Sequence, residues 1–225
     1  MSALPGRIRK TVKKPVSVTD ALRNSILEGE FQPGERLIEL QLTETFGVSR
    51  AAVRAAISEL VKEGLVEHEA NKGATVRRVA IEEAIQISEV RALLESLIAS
   101  RAALAATPRD RVELRSIIDA MREAVAGDEM VQYSELNSLL HRRLREISGH
   151  DVAGDLVELL RNRASHHTFR LALIPGRLHE SLPQHAAIVN AVVAGDAIAA
   201  EHAMRAHLES VAAVLRRWAV AGVRV

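Results

Sequence analysis

From residue 81 to 219 the chain is written at helical spacing, with hardly an aromatic side chain to fill a sheet core. Long amphipathic segments are broken at Pro108, Gly127-Asp128, Gly149-His150-Asp151, Pro175-Gly176 and Gly195-Asp196. These breaks predict helices over 81–106, 109–126, 129–148, 151–172, 178–194 and 196–219. Aromatic residues are 2% of the chain and hydrophobic residues 48%. A core of Leu, Ile, Val and Ala suits helices packed on helices better than a β-sandwich. No segment repeats at a fixed period. Residues 80–225 are expected to form an all-α helical bundle.

The preceding stretch is written differently. Residues 1–15 are basic, contain Pro5 and Pro15, and lack periodicity, which predicts a flexible arm. Val18, Ala21, Leu22 and Ile26 recur at helical spacing, with Ser17 or Thr19 as cap and Gly29 as stop. Pro33-Gly34 is a turn signal. A short helix over 39–46 precedes Gly47-Val48-Ser49. Ser49 is a good N-cap for a helix from Arg50 to Glu63, which puts Val53, Ile57 and Leu60 on one face. Residues 65–69 and 74–79 read as short strands, with Asn71-Lys72-Gly73 at the hairpin tip. Short helices, a tight turn and a β-hairpin are the parts of a winged helix-turn-helix. The expected fold class is therefore mainly α: a winged helix-turn-helix over 16–79 and a helical bundle over 80–225.

Composition removes several alternatives. The chain has no cysteine, so neither disulfides nor thiolate metal sites are available. No apolar run approaches the ~18–20 residues that cross a membrane. No signal-peptide core follows the basic N-terminus, so a cytoplasmic protein is expected. Net charge is +1, but residues 1–79 carry 13 Lys+Arg against 10 Asp+Glu. A basic front end fits a nucleic-acid partner, although so mild an imbalance proves little alone.

Arg50 and Arg54 lie four residues apart and share a helical face opposite Val53, Ile57 and Leu60. A recognition helix needs this division, with its apolar side on the domain and its polar side in the major groove. Arginine suits bidentate contact with guanine or phosphate. Ala51 allows close approach and a thymine methyl contact. Ser49 can donate to a phosphate at the helix N-terminus. The wing tip, Asn71-Lys72-Gly73, is placed to reach an adjacent groove. Two arginines on a helix are, in isolation, more often a solvated face; the order of parts around them argues otherwise.

Residues 16–79 resemble the DNA-binding domain of the GntR family of regulators. The resemblance rests on Pro33-Gly34-Glu35-Arg36-Leu37, Glu39, Gly47-Val48-Ser49-Arg50, Val53-Arg54, Leu60, Glu63-Gly64-Leu65-Val66 and Gly73. The usual Pro-Val-Arg of that family is Ala52-Val53-Arg54 here. The resemblance implies that Arg50 and Arg54 contact DNA and that Arg36 touches the backbone. Residues 80–220 resemble the FCD ligand domain of the FadR-type branch. That resemblance implies a site at Asn137, His141, His185 and His207, with Arg91 pointing into the cavity. His185 and His207 flank the Gly195 break at similar separations, which permits convergence. Such a set suits a divalent ion such as Zn²⁺, Ni²⁺ or Mn²⁺. Relatives commonly carry Asp at the position of Asn137. A neutral Asn leaves the ion's charge uncancelled, which favours an anionic effector, a small organic acid, with the Arg91 fork suited to a carboxylate. His166-His167 is read as surface or cavity wall, and Arg142, Arg143 and Arg145 as a solvated face.

Three readings follow from the sequence. The first is a dimeric regulator of double-stranded DNA whose operator binding responds to an acid at a metal site. A homodimer is expected because one short recognition helix rarely supplies enough affinity. The second is a regulator with a degenerate, metal-free ligand site. The third is a metal-dependent hydrolase or lyase, disfavoured because no carboxylate stands out as a general base. An enzyme is not expected.

Overall fold

The structure is a computed structural model that describes residues 17–27, 29–69, 73–164, 174 and 176–221. The basic arm over 1–15, Asn71 and Lys72 of the wing tip, and the His166-His167 pair lie outside the described residues.

Helix α1 (Val18–Leu27) buries Leu22 and Ile26. Helix α2 (Glu39–Phe46) ends at Gly47, whose φ of 64° suits a residue without a Cβ. Helix α3 (Arg50–Lys62) starts at Ser49, whose side chain accepts a hydrogen bond from the Ala52 N–H. The turn and the cap together set the angle between α2 and α3. Strands β1 (Val66–Glu69) and β2 (Gly73–Val76) pair antiparallel, with Val66 opposite Val76. An isolated bridge between Arg36 and Thr75 adds the α1–α2 connection to the hairpin edge. Leu22, Ile26, Leu42, Val53, Ile57, Leu60, Val66 and Val76 form one core beneath these elements. This is a winged helix-turn-helix.

The second strand stops earlier than the periodicity suggests. The Arg77 side chain instead hydrogen-bonds Glu83 across the connection, at 2.8 Å. Helix α4 (Ile81–Ala105) then runs through the centre of the bundle and packs against α6, α7, α8 and α9. Helix α5 (Pro108–Ala126) opens with a capping box between Thr107 and Asp110 and with Pro108 in its first turn. Helix α6 (Met130–Ser148) ends at Gly149, and His150 caps α7 (Asp151–Arg163) by accepting from the Ala153 N–H. The sequence predicts that α7 continues to 172, but it ends at Arg163 with Ala164 as its C-cap. Helix α8 (Arg177–Ala194) and helix α9 (Ala197–Val220) fold back on each other at Gly195, and Asp196 caps α9.

Alanine and branched aliphatic residues let these helices approach closely. Ile98, Leu114, Met121, Leu140, Leu144, Ile188, Met204 and Leu208 are almost fully enclosed. Among the described residues no helix is long and apolar enough to cross a membrane.

Candidate functional site: an exposed basic helix and a buried histidine cavity

The two places the sequence singles out differ in kind. On the winged unit, Ser49, Arg50, Ala51 and Arg54 are exposed along the start of α3. Arg36 and Gly73 are exposed beside them, and Gly73 opens β2 with a φ of 75°. A groove of about 430 Å³ runs between α2, α3 and the hairpin, lined by Arg36, Glu39, Arg54, Ser58 and His68. Arg54 Nε donates to both carboxylate oxygens of Glu39, at 2.9 Å each. Glu39 therefore leaves the two terminal amino groups of Arg54 facing outward. The Ser49 hydroxyl accepts from the helix and keeps its own hydrogen for an outside acceptor.

The bundle does the opposite. His141 from α6, His185 from α8 and His207 from α9 are buried, and one ligand atom of each lies within 4.8 Å of the others. Each Nδ1 is already engaged. His141 Nδ1 donates to Glu95 Oε2 at 2.6 Å. His207 Nδ1 pairs with Gln184 Oε1 at 2.9 Å. His185 Nδ1 lies 3.0 Å from the Tyr133 hydroxyl. The Nε2 atoms are thereby left to face one another, the orientation that metal-binding imidazoles take when an outer partner holds the other nitrogen. His185 Nε2 is buried with no hydrogen-bond partner, and so is Asn137 Oδ1. Asn137 lines one cavity with His141 and His207, the two imidazoles that group with His185, and buried polar atoms are nearly always satisfied, so these two orphans call for a ligand.

The electrostatics fit neutral donors. Burial pushes the His141 imidazole below its ordinary value, with Glu95 opposing. Burial, and then the neighbouring imidazoles, hold His185 well below that range; burial and His141 do the same to His207. Neutral imidazole is the form that binds metal. Burial would raise the Glu95 carboxyl, but Arg91 and His141 outweigh it and hold it well below the usual carboxylate range. Three neutral imidazoles and an amide oxygen suit a borderline divalent ion.

Arg91 lines the same cavity of about 80 Å³ as Asn137, His141 and His207. Part of its fork is taken: Nε and Nη2 both reach Glu95 Oε1, at 2.8 and 2.7 Å. Arg91 thus anchors the carboxylate that orients His141. Two further arginines enter the cavity that sequence reasoning missed. Arg177 donates to Ser210 at 3.0 Å and to Glu180 at 3.3 Å. Arg161, from the last turn of α7, makes no hydrogen bond and no ion pair among the described residues. Burial, together with Arg91, pushes its pKa down to about 10. Glu95 was also missed, although its spacing of four from Arg91 on α4 was a usable signal. No comparable signal marks Arg161.

The arginines beside His141 do not form a wholly solvated face. Arg143 is held by Asp110, Glu113 and Glu146, because α5 packs against α6. Arg145 Nη1 is buried.

Comparison with known proteins agrees with both halves. The gntR family of bacterial regulatory proteins matches residues 16–76, and the FCD domain matches residues 86–210. The HTH-type transcriptional regulator LutR of Bacillus subtilis is 34% identical over 215 residues, covering 84% of this chain and 95% of LutR. The HTH-type transcriptional repressor RspR of Escherichia coli is 28% identical over 199 residues, covering 87% and 86%. The solved structure of E. coli McbR/YncC superposes with a TM-score of 0.78 at 25% identity, covering 89% of this chain and 95% of that one. A GntR regulator from Rhodococcus sp. RHA1 shares the fold at a TM-score of 0.70 and 23% identity, covering 89% and 96%. These relatives are transcription regulators, not enzymes. The chain belongs to the gntR family of bacterial regulatory proteins, a transcription regulator with a DNA-binding winged head and an FCD domain.

Proposed function

We propose that this regulator holds a divalent metal ion through Asn137, His141, His185 and His207, and that a small organic acid bound beside the ion controls its grip on operator DNA. The observation that carries this reading is the pair of buried, unpartnered atoms, Asn137 Oδ1 and His185 Nε2, beside two further imidazoles whose outer nitrogens are anchored. The donor set is neutral. A bound ion would keep nearly its full charge and act as a Lewis acid toward a carboxylate oxygen. Arg161 and Arg177 add positive charge around it, so an anion is the ligand the cavity favours. A cavity near 80 Å³ limits that anion to a handful of heavy atoms beside the ion. Arg91 and His141 hold the Glu95 carboxyl well below the usual carboxylate range, which makes it a weak general base. This supports sensing over hydrolysis.

On the head, Arg50 and Arg54 contact bases, Arg36 and Ser49 contact phosphates, and Ala51 allows close approach. The wing tip, Asn71, Lys72 and Gly73, touches the neighbouring groove. The reading sets the boundary between head and sensor at residues 79–80, in the connection between the end of β2 at Val76 and the start of α4 at Ile81. The functional unit is a homodimer. Val90, Leu93, Leu97 and Leu104 are exposed on α4. Val90, Leu97 and Leu104 recur every seven residues, the spacing of a helix seam, and a second copy would cover them.

Metal analysis by mass spectrometry tests the central element. Untagged protein is expected to carry about one ion per chain, lost in the His141→Ala/His207→Ala double variant. A chain that takes up no ion even after exposure to Zn²⁺ or Ni²⁺ is a metal-free sensor, with its ligand held by the arginines alone.

A further inference from the structure

Helix α7 touches both sites. Arg161 reaches the cavity from its last helical turn. Arg163 follows two residues later, so the two side chains leave the helix roughly 200° apart. Arg163 lies flat over Gly64: a Cβ there would stand 2.7 Å from Arg163 Nε and 2.8 Å from its Cγ. Gly64 also holds a φ of 74°, which disfavours other residues, and any Cβ there would push the Arg163 side chain aside. Gly64 lies just beyond α3, next to Glu63. Glu63 is gripped by Arg23 of α1 through two hydrogen bonds of 2.7 Å. Beside this contact lies an open cleft of about 500 Å³, with Arg23, Lys62 and Glu63 on one wall and Asp155, Glu158 and Asn162 of α7 on the other. The fully buried residues of α7 are Ala153 and Val157, and both lie in its first two turns. From Glu158 to Arg163 the residues are exposed or half-buried, until the buried C-cap Ala164, so this stretch is held less tightly than the start of the helix.

We propose that α7 is the lever by which the sensor cavity acts on the recognition helix. An anion in the cavity gives Arg161 the partner it lacks and draws the last turn of α7 inward. Arg163, on the opposite side, changes its pressure on Gly64 and so tilts the C-terminal end of α3. This rests on the reading of the cavity as an acid site. The coupling is a free energy shared by two sites, so DNA binding alters acid affinity by the same factor.

A double-mutant cycle on the full chain tests the lever without knowledge of the effector. Arg161→Gln, Arg163→Ala and the double variant are titrated by fluorescence anisotropy against a DNA duplex selected in vitro by the wild-type protein. Arg161→Gln is expected to shift the DNA Kd by about threefold or more. In the Arg163→Ala background the same change should shift it by less than about 1.5-fold. Arg163→Lys, whose aliphatic stem still covers Gly64, should restore the response. If Arg163→Ala does not fold, Arg163→Ser, which likewise lacks the stem over Gly64, takes its place in the cycle. Additive effects of the two substitutions would overturn the lever. A second arm uses malonate as probe. If malonate binds the zinc-treated wild type by calorimetry, Arg163→Ala should bind it within twofold yet lose the change in DNA Kd. If no acid binds the wild type, the acid reading fails, and the cycle still decides the lever.

Discussion

The head and the sensor handle positive charge in opposite ways. On α3 the guanidiniums of Arg50 and Arg54 stand in water on one short helix, and the single ion pair Arg54 makes with Glu39 is itself exposed. In the bundle, the cavity draws residues from α4, α6, α7, α8 and α9, and almost every charge there is answered by another. Charge in water needs little support, so a DNA-reading face can be written on one turn of sequence. Charge out of water needs partners, so the sensor needs a whole bundle to position Arg91, Glu95 and His141 against one another. The difference also separates the roles. The exposed face waits for the phosphates and bases of DNA, whereas the enclosed one leaves Arg161, Asn137 and His185 Nε2 incompletely satisfied for a small ligand.

This contrast breaks first at Glu95. Glu95→Ala removes the carboxylate that answers both Arg91 and His141, and should destabilise the fold by about 3–5 kcal/mol in urea unfolding. A loss below ~1 kcal/mol would mean that Arg91 is not an enclosed charge. The head should behave in reverse. Arg54→Ala is expected to leave unfolding within about 0.5 kcal/mol of wild type. It should weaken DNA binding by about 1–3 kcal/mol and relax base preference at one position of the selected duplex. Equal weakening across all sequences would reassign Arg54 to a phosphate. Asn137→Asp sharpens the sensor side. A negative donor should raise zinc affinity by on the order of tenfold, read by competition with a chelator, while lowering the affinity for any anionic probe. Both affinities rising together would remove the charge argument. The smallest effect is at the helix start: Ser49→Ala should cost about 1 kcal/mol of stability through its lost cap.

The same contrast explains what was legible in the sequence. The turn at Gly47, the cap at Ser49 and the apolar face of α3 are local features, and local features are written in neighbouring residues. The bundle helices were legible for the same reason, within a residue or two at most ends. Helix α7 ends at Arg163 where a helix to 172 was read, because the apolar pattern runs past Arg163 without a glycine or proline until Pro175; residues 165–172 of that reading lie outside the described residues. Strand β2 was read too long because the Arg77–Glu83 bond depends on where α4 begins. The histidines were reached through the family resemblance, and spacing alone only permitted their convergence. The supports were legible only in the spacing of four between Arg91 and Glu95. Glu95 meets His141 only because α4 packs on α6, and Arg161 reaches the cavity from α7, which packs on α4. Arg143 looked solvated for the converse reason, since α5 brings Asp110 and Glu113 to it.

The most direct measurement is the DNA affinity of the full chain in four states: chelator-treated or zinc-loaded, each with and without a small dicarboxylate such as malonate. The prediction is a change in DNA Kd of about fivefold or more on adding the acid to the zinc-loaded protein, with no change in the chelated protein. Equal DNA affinity in all four states, with zinc shown to be bound, would contradict a metal-centred acid site that controls the head.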